Sequence, residues 1–386
     1  LFINQLINNI LIMNILYVGS PQLFKEGASS IHVARMCEAF AELNHNVELI
    51  LPINKNELES FFIYYDVRER FKISPTIGFK YGPLRHFFHG ILSFFKLILK
   101  KEYDFIVTRN ITFAYLMSFF KSKIIIDIHH PPVNYISRLA IKRFIDSKNI
   151  SKIICNSEGT KENIERSFNS SNKLEVLHNG VNLKTFKPNK DLDLFKSQLK
   201  VPKNSKIVSY VGNTYTGRGI EKIIELSKFN KEIFFLIVGG EDSDNILYQK
   251  KINDSQKNIL FTGHVKNSDI PNFLAISDIL LIPYDTDFTI KGGSKALEYS
   301  SPIKLFEYLS SGKPIIASNL PSISRILSDG SDSILVNPDS FNDLNTALSS
   351  LLASKELSSK ISEKSLKLSR QFTWVGRAKR MLLPKN

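Results

Sequence analysis

The run Ser301-Pro302-Ile303-Lys304-Leu305-Phe306-Glu307-Tyr308-Leu309-Ser310-Ser311-Gly312-Lys313-Pro314-Ile315-Ile316-Ala317-Ser318 carries the residues best suited to chemistry. It reads as a loop, a short helix marked at both ends, a glycine stop and a buried strand. Ser301 is expected as the N-cap and Pro302 as a first-turn residue, where a missing N–H costs no hydrogen bond. Gly312 supplies the left-handed residue that ends the helix, and Pro314-Ile315-Ile316-Ala317 opens a strand. Free backbone amides at the helix start suit a phosphate, and the carboxylate of Glu307 can accept hydrogen bonds from sugar hydroxyls. The pairing suggests a nucleotide-sugar site. Lys304 and Glu307 share one helix face, either as a surface ion pair or as ligand-binding groups. Leu305, Phe306 and Leu309 take the other face, which directs Lys304 and Glu307 away from the core.

A second constellation is the turn Gly212-Asn213-Thr214-Tyr215-Thr216-Gly217-Arg218-Gly219, between the strand Ile207–Val211 and a helix. Small residues such as Gly217 and Gly219 let the backbone approach a ligand, and Arg218 places a permanent fork of donors at the end of the turn. The dinucleotide GxGxxG spacing and the Walker lysine are both absent. On the same sheet as the 301–318 helix, Arg218 is read as a diphosphate clamp. A third is Asp127-Ile128-His129-His130-Pro131-Pro132, after a buried strand, where a histidine can exchange a proton or bind a sugar hydroxyl, or be structural. The loop from Gly19 to Ser30 could cover a ligand, with Gly27 permitting close approach and Ser30 capping the next helix. His32, His45 and His178 carry weaker cases.

The elements that would position these groups alternate between apolar strands and helices. Strands are expected at Ile15–Gly19, Val47–Leu51, Phe105–Arg109, Ile124–His129, Ile153–Asn156 and Leu174–His178, with helices at 30–43, 86–100, 112–121, 134–147 and 158–168. The pattern restarts with strands at Ile207–Val211, Phe234–Val238, Ile259–Phe261, Ile279–Ile282, Ile315–Ala317 and Ile334–Val336. Such alternation implies an α/β chain with two doubly wound parallel sheets facing across a cleft, ligands binding outside the strands' carboxyl ends. Residues 13–190 are read as the N-terminal domain, 191–205 as a polar linker and 206–360 as the C-terminal domain. The last helical stretch, 361–386 with a start near Leu357, is expected to pack back on the first domain. Residues 1–12 are read as an extension outside the fold, apolar but without a cleavage-site pattern.

At 386 residues the chain fits two domains, and 43% apolar with 23% charged residues is the balance of a soluble globular protein. Cys37 and Cys155 are read as buried free thiols, and no Cys/His cluster has zinc spacing, so no metal is assigned. The net charge of +14 calls for an anionic partner. Arg68, Arg70, Lys72, Lys80, Arg85, Lys96, Lys100 and Lys101 stand against Glu69 alone, interleaved with Phe87, Phe88, Ile91, Leu92, Phe94, Phe95, Leu97, Ile98 and Leu99. So many aliphatics favour an anionic membrane surface over nucleic acid; the alternative is a core helix with a solvated basic face. Residues 86–99 are too short and interrupted to span a bilayer.

From Met13 onward the chain resembles the family-4 retaining glycosyltransferases of GT-B fold. Met13–Gly19 is similar to the family's opening strand, Asp127-Ile128-His129 to its acidic-x-histidine segment, and Val176-Leu177-His178-Asn179-Gly180-Val181-Asn182 to its Asn-Gly-Val turn. Phe261-Thr262-Gly263-His264-Val265, Ile270-Pro271 and Ala275–Leu280 resemble its nucleotide-base segment. Ser301–Ser318 matches the branch whose donor helix reads Ser-Pro-x-Lys-x-Phe-Glu-Tyr. The resemblance implies that Glu307 binds the donor ribose and that Arg218, where lysine is usual, holds the diphosphate. It puts the amides of Ile303 and Lys304 on the phosphates, and the backbone near His264 and Val265 against the base. Asn213, Gly217, Gly219, Gly27, Ser301, Pro302 and Tyr299 complete the donor set, with His129 over the sugar or acceptor. It implies no metal and no cofactor beyond the donor, and front-face transfer in which the leaving phosphate takes the acceptor's proton. Tyr299 stands where many members carry a second glutamate, with Glu298 one residue off, so the sugar's identity is not read from this helix.

These readings predict a cytoplasmic, peripheral enzyme moving a sugar from a UDP- or GDP-linked donor to a lipid-linked or surface-glycan acceptor. The alternatives are a nucleotide-sugar 2-epimerase on the same fold, and a membrane- or polyanion-binding protein with a degenerate donor site.

Overall fold

Ile233–Val238 is buried at every residue, a run without alternation that needs cover on both faces of its sheet. Parallel sheets with crossover helices supply that cover. The computed structural model describes residues 12–25, 27–77, 82–98, 103–120, 122–168, 171–287 and 298–384. Apart from Ile12, the segment read as an N-terminal extension lies outside them, as do Lys80, Leu99, Lys100 and Lys101.

The chain forms two compact units. The first contains β1 (Asn14–Val18), β2 (Asn46–Leu51), β3 (Lys72–Pro75), β4 (Phe105–Thr108), β5 (Ile124–Ile128), β6 (Ile150–Cys155) and β7 (Leu174–Val176). They form one sheet in the order β3-β2-β1-β4-β5-β6-β7, parallel throughout. The second contains β8 (Lys206–Val211), β9 (Ile233–Val238), β10 (Ile259–Phe261), β11 (Ile279–Ile282), β12 (Ile315–Ser318) and β13 (Ile334–Val336), ordered β10-β9-β8-β11-β12-β13 and also parallel. The order reverses between β1 and β4 in one sheet and between β8 and β11 in the other, and crevices open at the carboxyl ends of such pairs.

Several expectations need correction. Strand β3 and the helix Leu58–Tyr64 were not expected from the sequence. β3 is a four-residue edge strand ending in proline, with too little apolar pattern to announce itself. The linker stretch carries a helix, Leu192–Gln198, capped by Asp191 and anchored by Phe195, whose ring meets Phe273 at 4.9 Å. The terminal stretch is two helices, Lys355–Ser369 and Trp374–Leu382. Between them the chain pairs with the Asn-Gly-Val turn, Val181 donating to Phe372 O at 3.0 Å. Among the described residues, the first unit takes in the chain up to Asn156, Thr160–Leu177 and the residues from Trp374; the second holds Ser157–Gly159 and His178–Thr373.

The basic segment also differs from its reading. Glu59 pairs with Arg70 at 2.6 Å and Glu48 with Lys72 at 3.2 Å, so acids from outside the window neutralise it in part. In the helix Gly82–Ile98 the buried stripe is His89, Gly90, Ser93, Phe94 and Leu97. The exposed stripe is apolar rather than basic: Leu84 is 56% exposed, Phe87 48%, Phe88 39%, Phe95 61% and Ile98 51%. Lys96 turns back to donate to Pro75 O at 2.8 Å. No helix among the described residues is long and apolar enough to cross a membrane.

Candidate active site

In the second unit, β8 hands directly into the turn that carries Arg218. Gly212 N donates to Val238 O at 2.8 Å, and Tyr210 Oη donates to Asn213 O at 2.6 Å. Gly217 O accepts from Asp285 N at 3.1 Å, tying the turn to the segment after β11. Gly219 caps the helix Ile220–Phe229 with φ 73°, and a Cβ there would collide with Pro283 O, so its glycine is required twice over. The Arg218 guanidinium lies 4.4 Å from the ring centre of Tyr215 and 4.8 Å from that of Tyr284, and donates to the Tyr215 hydroxyl. Aromatic faces hold a cation without neutralising it.

The helix Ile303–Ser311 starts and stops largely as its sequence implies. Gly312 ends it at φ 64°. Its N-cap, however, is Pro302, with no side-chain cap. Ser301 is buried and acts as a strut: Oγ accepts from Asn179 N at 3.1 Å and the carbonyl accepts from Asn179 Nδ2 at 2.6 Å. Ser157 Oγ donates to Tyr299 O at 3.0 Å, and Gly159 packs so closely on Glu298 O that no Cβ would fit. The loop before the helix is therefore clamped by short segments from 157–159 and 178–179. His178 belongs to that clamp, with Nε2 3.1 Å from Glu158 Oε1 and its ring 5.7 Å from Phe372. Ile303 and Lys304 begin the helix with amides that lack an intrahelical acceptor.

Lys304 does not point away from the core. Its Nζ donates to Tyr210 Oη at 2.7 Å, lies 3.9 Å from that ring's centre and 5.3 Å from the centre of Tyr284, and occupies the space a Cβ on Gly212 would need. The simple surface-pair alternative therefore fails. Burial first, and then the charge of Arg218, push the Lys304 ammonium well below the usual lysine range, while Glu307 acts the other way. Two cations and one carboxylate thus converge where the turn meets the helix.

The base segment joins the same end of the sheet. Gly239 N donates to Gly263 O at 2.9 Å, and His264 and Val265 follow, the first exposed and the second packed on the core. A Cβ on Gly239 would approach Gly212 O to 2.8 Å, so the loops after β8, β9 and β10 are in close contact. Sequence reasoning passed over Gly239, Gly240, Tyr210 and Tyr284. The Gly-Gly pair directly after a buried strand was a usable signal; the tyrosines, set in apolar runs, gave none.

Gly27 and His129 belong to the first unit. Gly27 is the N-cap of the helix Ala28–Glu42, so Ser30 is not the cap; it lies inside and donates back to Gly27 O at 3.1 Å. His129 follows β5 and stands over Asp127, its Nε2 3.3 Å from Oδ1 without a straight hydrogen bond. His32 Nε2 meets Asp127 Oδ2 at 2.8 Å and Arg377 Nη2 donates to Oδ1 at 2.8 Å. His32, which had carried a weak case, thus shares the carboxylate. The ligand atoms of His32, Asp127 and His129 lie within 4.8 Å of one another, a spacing a metal could use. Arg377 already supplies a fixed positive charge there. Burial first, and then Arg109, push His129 well below the usual histidine range; burial also pushes His32 down to about 4.

Two family models match the chain in succession: Glycosyltransferase Family 4 over residues 29–185, and Glycosyl transferases group 1 over residues 191–368. A galactosyltransferase of Escherichia coli, named as acting from UDP-Gal on α-D-GlcNAc-diphosphoundecaprenol, is 24% identical over 68% of this chain and 69% of its own length. TuaH of Bacillus subtilis, named for teichuronic acid biosynthesis, is 24% identical over 45% of this chain and 42% of its own length. The matched part thus spans less than half of one relative and about two thirds of the other. Among solved structures, HepE of Anabaena in complex with UDP aligns with a TM-score of 0.71 at 14% identity, covering 96% of this chain and 98% of that one. A glycosyltransferase of Rickettsia africae aligns with a TM-score of 0.75 at 18% identity, covering 96% and 97%. With both halves matched in order and both sheets in place, the chain belongs to the group 1 glycosyltransferases of GT-B fold.

Proposed function

We propose that the protein transfers a sugar, with retention, from a UDP- or GDP-linked donor to a lipid-linked or surface-glycan acceptor. The observation that carries the reading is the convergence of Arg218, Lys304 and Glu307 within one unit. Two neighbouring cations, one of them depressed by burial and by the other's charge, gain most from an anion that neutralises both. A diphosphate answers that need, and Glu307 then accepts from the ribose hydroxyls. In transfer, the bond from the sugar's anomeric carbon to the diphosphate breaks and a bond to the acceptor oxygen forms on the same face. The acceptor's proton passes to the departing diphosphate, whose charge Arg218 and Lys304 stabilise. No metal or further cofactor enters this reading. A thermal-shift screen of UDP-, GDP-, ADP- and CMP-sugars tests it: a UDP- or GDP-sugar raises Tm by several degrees, and stabilisation by none of the four would refute it. Turnover of a donor with no acceptor present would instead favour the epimerase.

We also place the enzyme at an anionic membrane, where a lipid-linked acceptor resides. The support is the apolar stripe Leu84, Phe88, Phe95 and Ile98, joined by exposed Tyr115 and Phe119 on and just after a helix packed alongside, with Lys123 and Lys142 exposed nearby in the chain. An exposed aromatic face with a positive surplus suits an interface of acyl chains and anionic head groups. Vesicles containing phosphatidylglycerol should sediment the wild type, and F88E/F95E should weaken binding about tenfold or more. Equal binding of the double variant removes the membrane assignment and leaves the donor assignment intact.

A further inference from the structure

Asp127 is a carboxylate sealed from solvent, its side chain 0% exposed. Such a group must either meet a cation or take up a proton. Of the groups around it, His32 and His129 are both pushed toward the neutral form by burial. Arg377 is the permanent cation that bonds it directly, at 2.8 Å. Its side chain is 2% exposed and otherwise committed, Nε donating to Leu177 O at 3.2 Å, with Nη1 3.6 Å from Met36 Sδ and 3.3 Å from Met381 Sδ. Trp374, one helical turn earlier, sets its ring edge-on to His32 at 5.3 Å, and His32 stands edge-on to His129 at 4.5 Å.

We infer that Arg377, on the helix Trp374–Leu382, is a positioning residue that fixes His129 through Asp127. The inference rests on the reading that His129 meets the substrate. A carboxylate kept charged by Arg377 bonds the ring of neutral His32 at 2.8 Å and, through its charge, favours the proton of neutral His129 on the nitrogen nearer to it, 3.3 Å away. For His129 that N–H is on Nε2, which leaves the lone pair on Nδ1 to accept a hydrogen bond from a substrate hydroxyl. Without the guanidinium, Asp127 would share a proton with its histidines, and His129 would present a donor instead. The groups that face this cluster are Tyr17 at the carboxyl side of β1, Arg109 after β4, His32 on Ala28–Glu42, Cys155 at the end of β6 and Arg377 itself. Arg109 adds positive potential, but among the described side-chain partners of Asp127 it is Arg377 that is both permanently charged and directly bonded.

The test is an NMR titration of the full chain labelled with 15N-histidine, His32 and His129 being assigned by single substitution to Asn. In the wild type both rings should stay neutral from pH 7 to about 5. In Arg377→Met their midpoints should rise by about one unit or more, with Arg377→Lys in between. The acid limb of kcat/KM should move up in step. A wild-type midpoint near that of free histidine for either ring, or midpoints unmoved in Arg377→Met, overturns the inference. The wild-type arm holds even where the Met variant does not fold. Midpoints that rise while the acid limb stays in place keep Arg377 as the counter-charge but remove His129 from the substrate.

Discussion

Replacing Arg218 with alanine should lower kcat about 10²- to 10³-fold, the cost of removing one preorganised group that meets charge as it develops on a leaving group. The change also strips a cation from the faces of Tyr215 and Tyr284, costing about 1 kcal/mol or more of packing and cation–π energy. A fall in Tm of several degrees is therefore expected and must be separated from the kinetic effect. Arg218→Lys does so. It restores charge without the planar fork, and should recover Tm and part of kcat while leaving turnover about tenfold below wild type. The electrostatic coupling gives an independent signature. Arg218 is one of the influences that hold Lys304 below the normal lysine range. Its removal relieves Lys304, so the alkaline limb of donor binding should move to higher pH. An alanine variant with wild-type kcat would remove Arg218 from the site.

The second large effect is expected at Glu307. Losing a carboxylate that accepts from donor hydroxyls costs roughly 1.5–3 kcal/mol, so Glu307→Ala should raise the donor KM about 10- to 100-fold. Glu307 is partly buried on the helix Ile303–Ser311, and its truncation opens no core cavity, so Tm should change little. The sign on Lys304 is opposite to that of the arginine variant. Glu307 is the influence that raises the ammonium against burial and Arg218. Without it Lys304 loses its proton at lower pH, and the alkaline limb of donor binding should move down. Glu307→Gln removes the charge but keeps acceptor capacity, so it should show the same downward movement with a smaller KM defect. Unchanged donor KM in both variants would assign Glu307 no part in donor binding.

How much of this was legible follows from the physics of each residue. The strands of both sheets were readable because buried parallel strands must be continuous apolar runs; Ile259–Phe261, Ile279–Ile282 and Ile334–Val336 fall where expected to the residue. β3 escaped because an edge strand can be short and polar. Gly312 was readable because a left-handed stop after an amphipathic helix is a local signal. The burial of Lys304 was not, since helical spacing says which side a residue takes but not that Tyr210 and Tyr284 wait there. Ser301 shows the same limit: its type fits a cap, yet Asn179, 122 positions away, engages it first. Arg377 was hidden most deeply, because its partner Asp127 lies 250 positions distant and no local pattern announces such a pair.

The first unit is not a contiguous stretch of chain: its last helix arrives after the whole second unit has been made. During synthesis, residues through Leu177 can collapse around their sheet, but the face that receives Trp374, Arg377, Ala378 and Met381 stays bare until nearly two hundred further residues have been added. Over that interval Asp127 lacks the guanidinium that bonds it, and apolar side chains such as Met36 lack a covering neighbour. The nascent first half is thus an unfinished globule exposed to the ribosome's surroundings, a stage at which chaperones act. A fragment ending before Trp374 should freeze that stage, and the expression of such a fragment would show whether the protein's yield in cells is decided by the helix Trp374–Leu382.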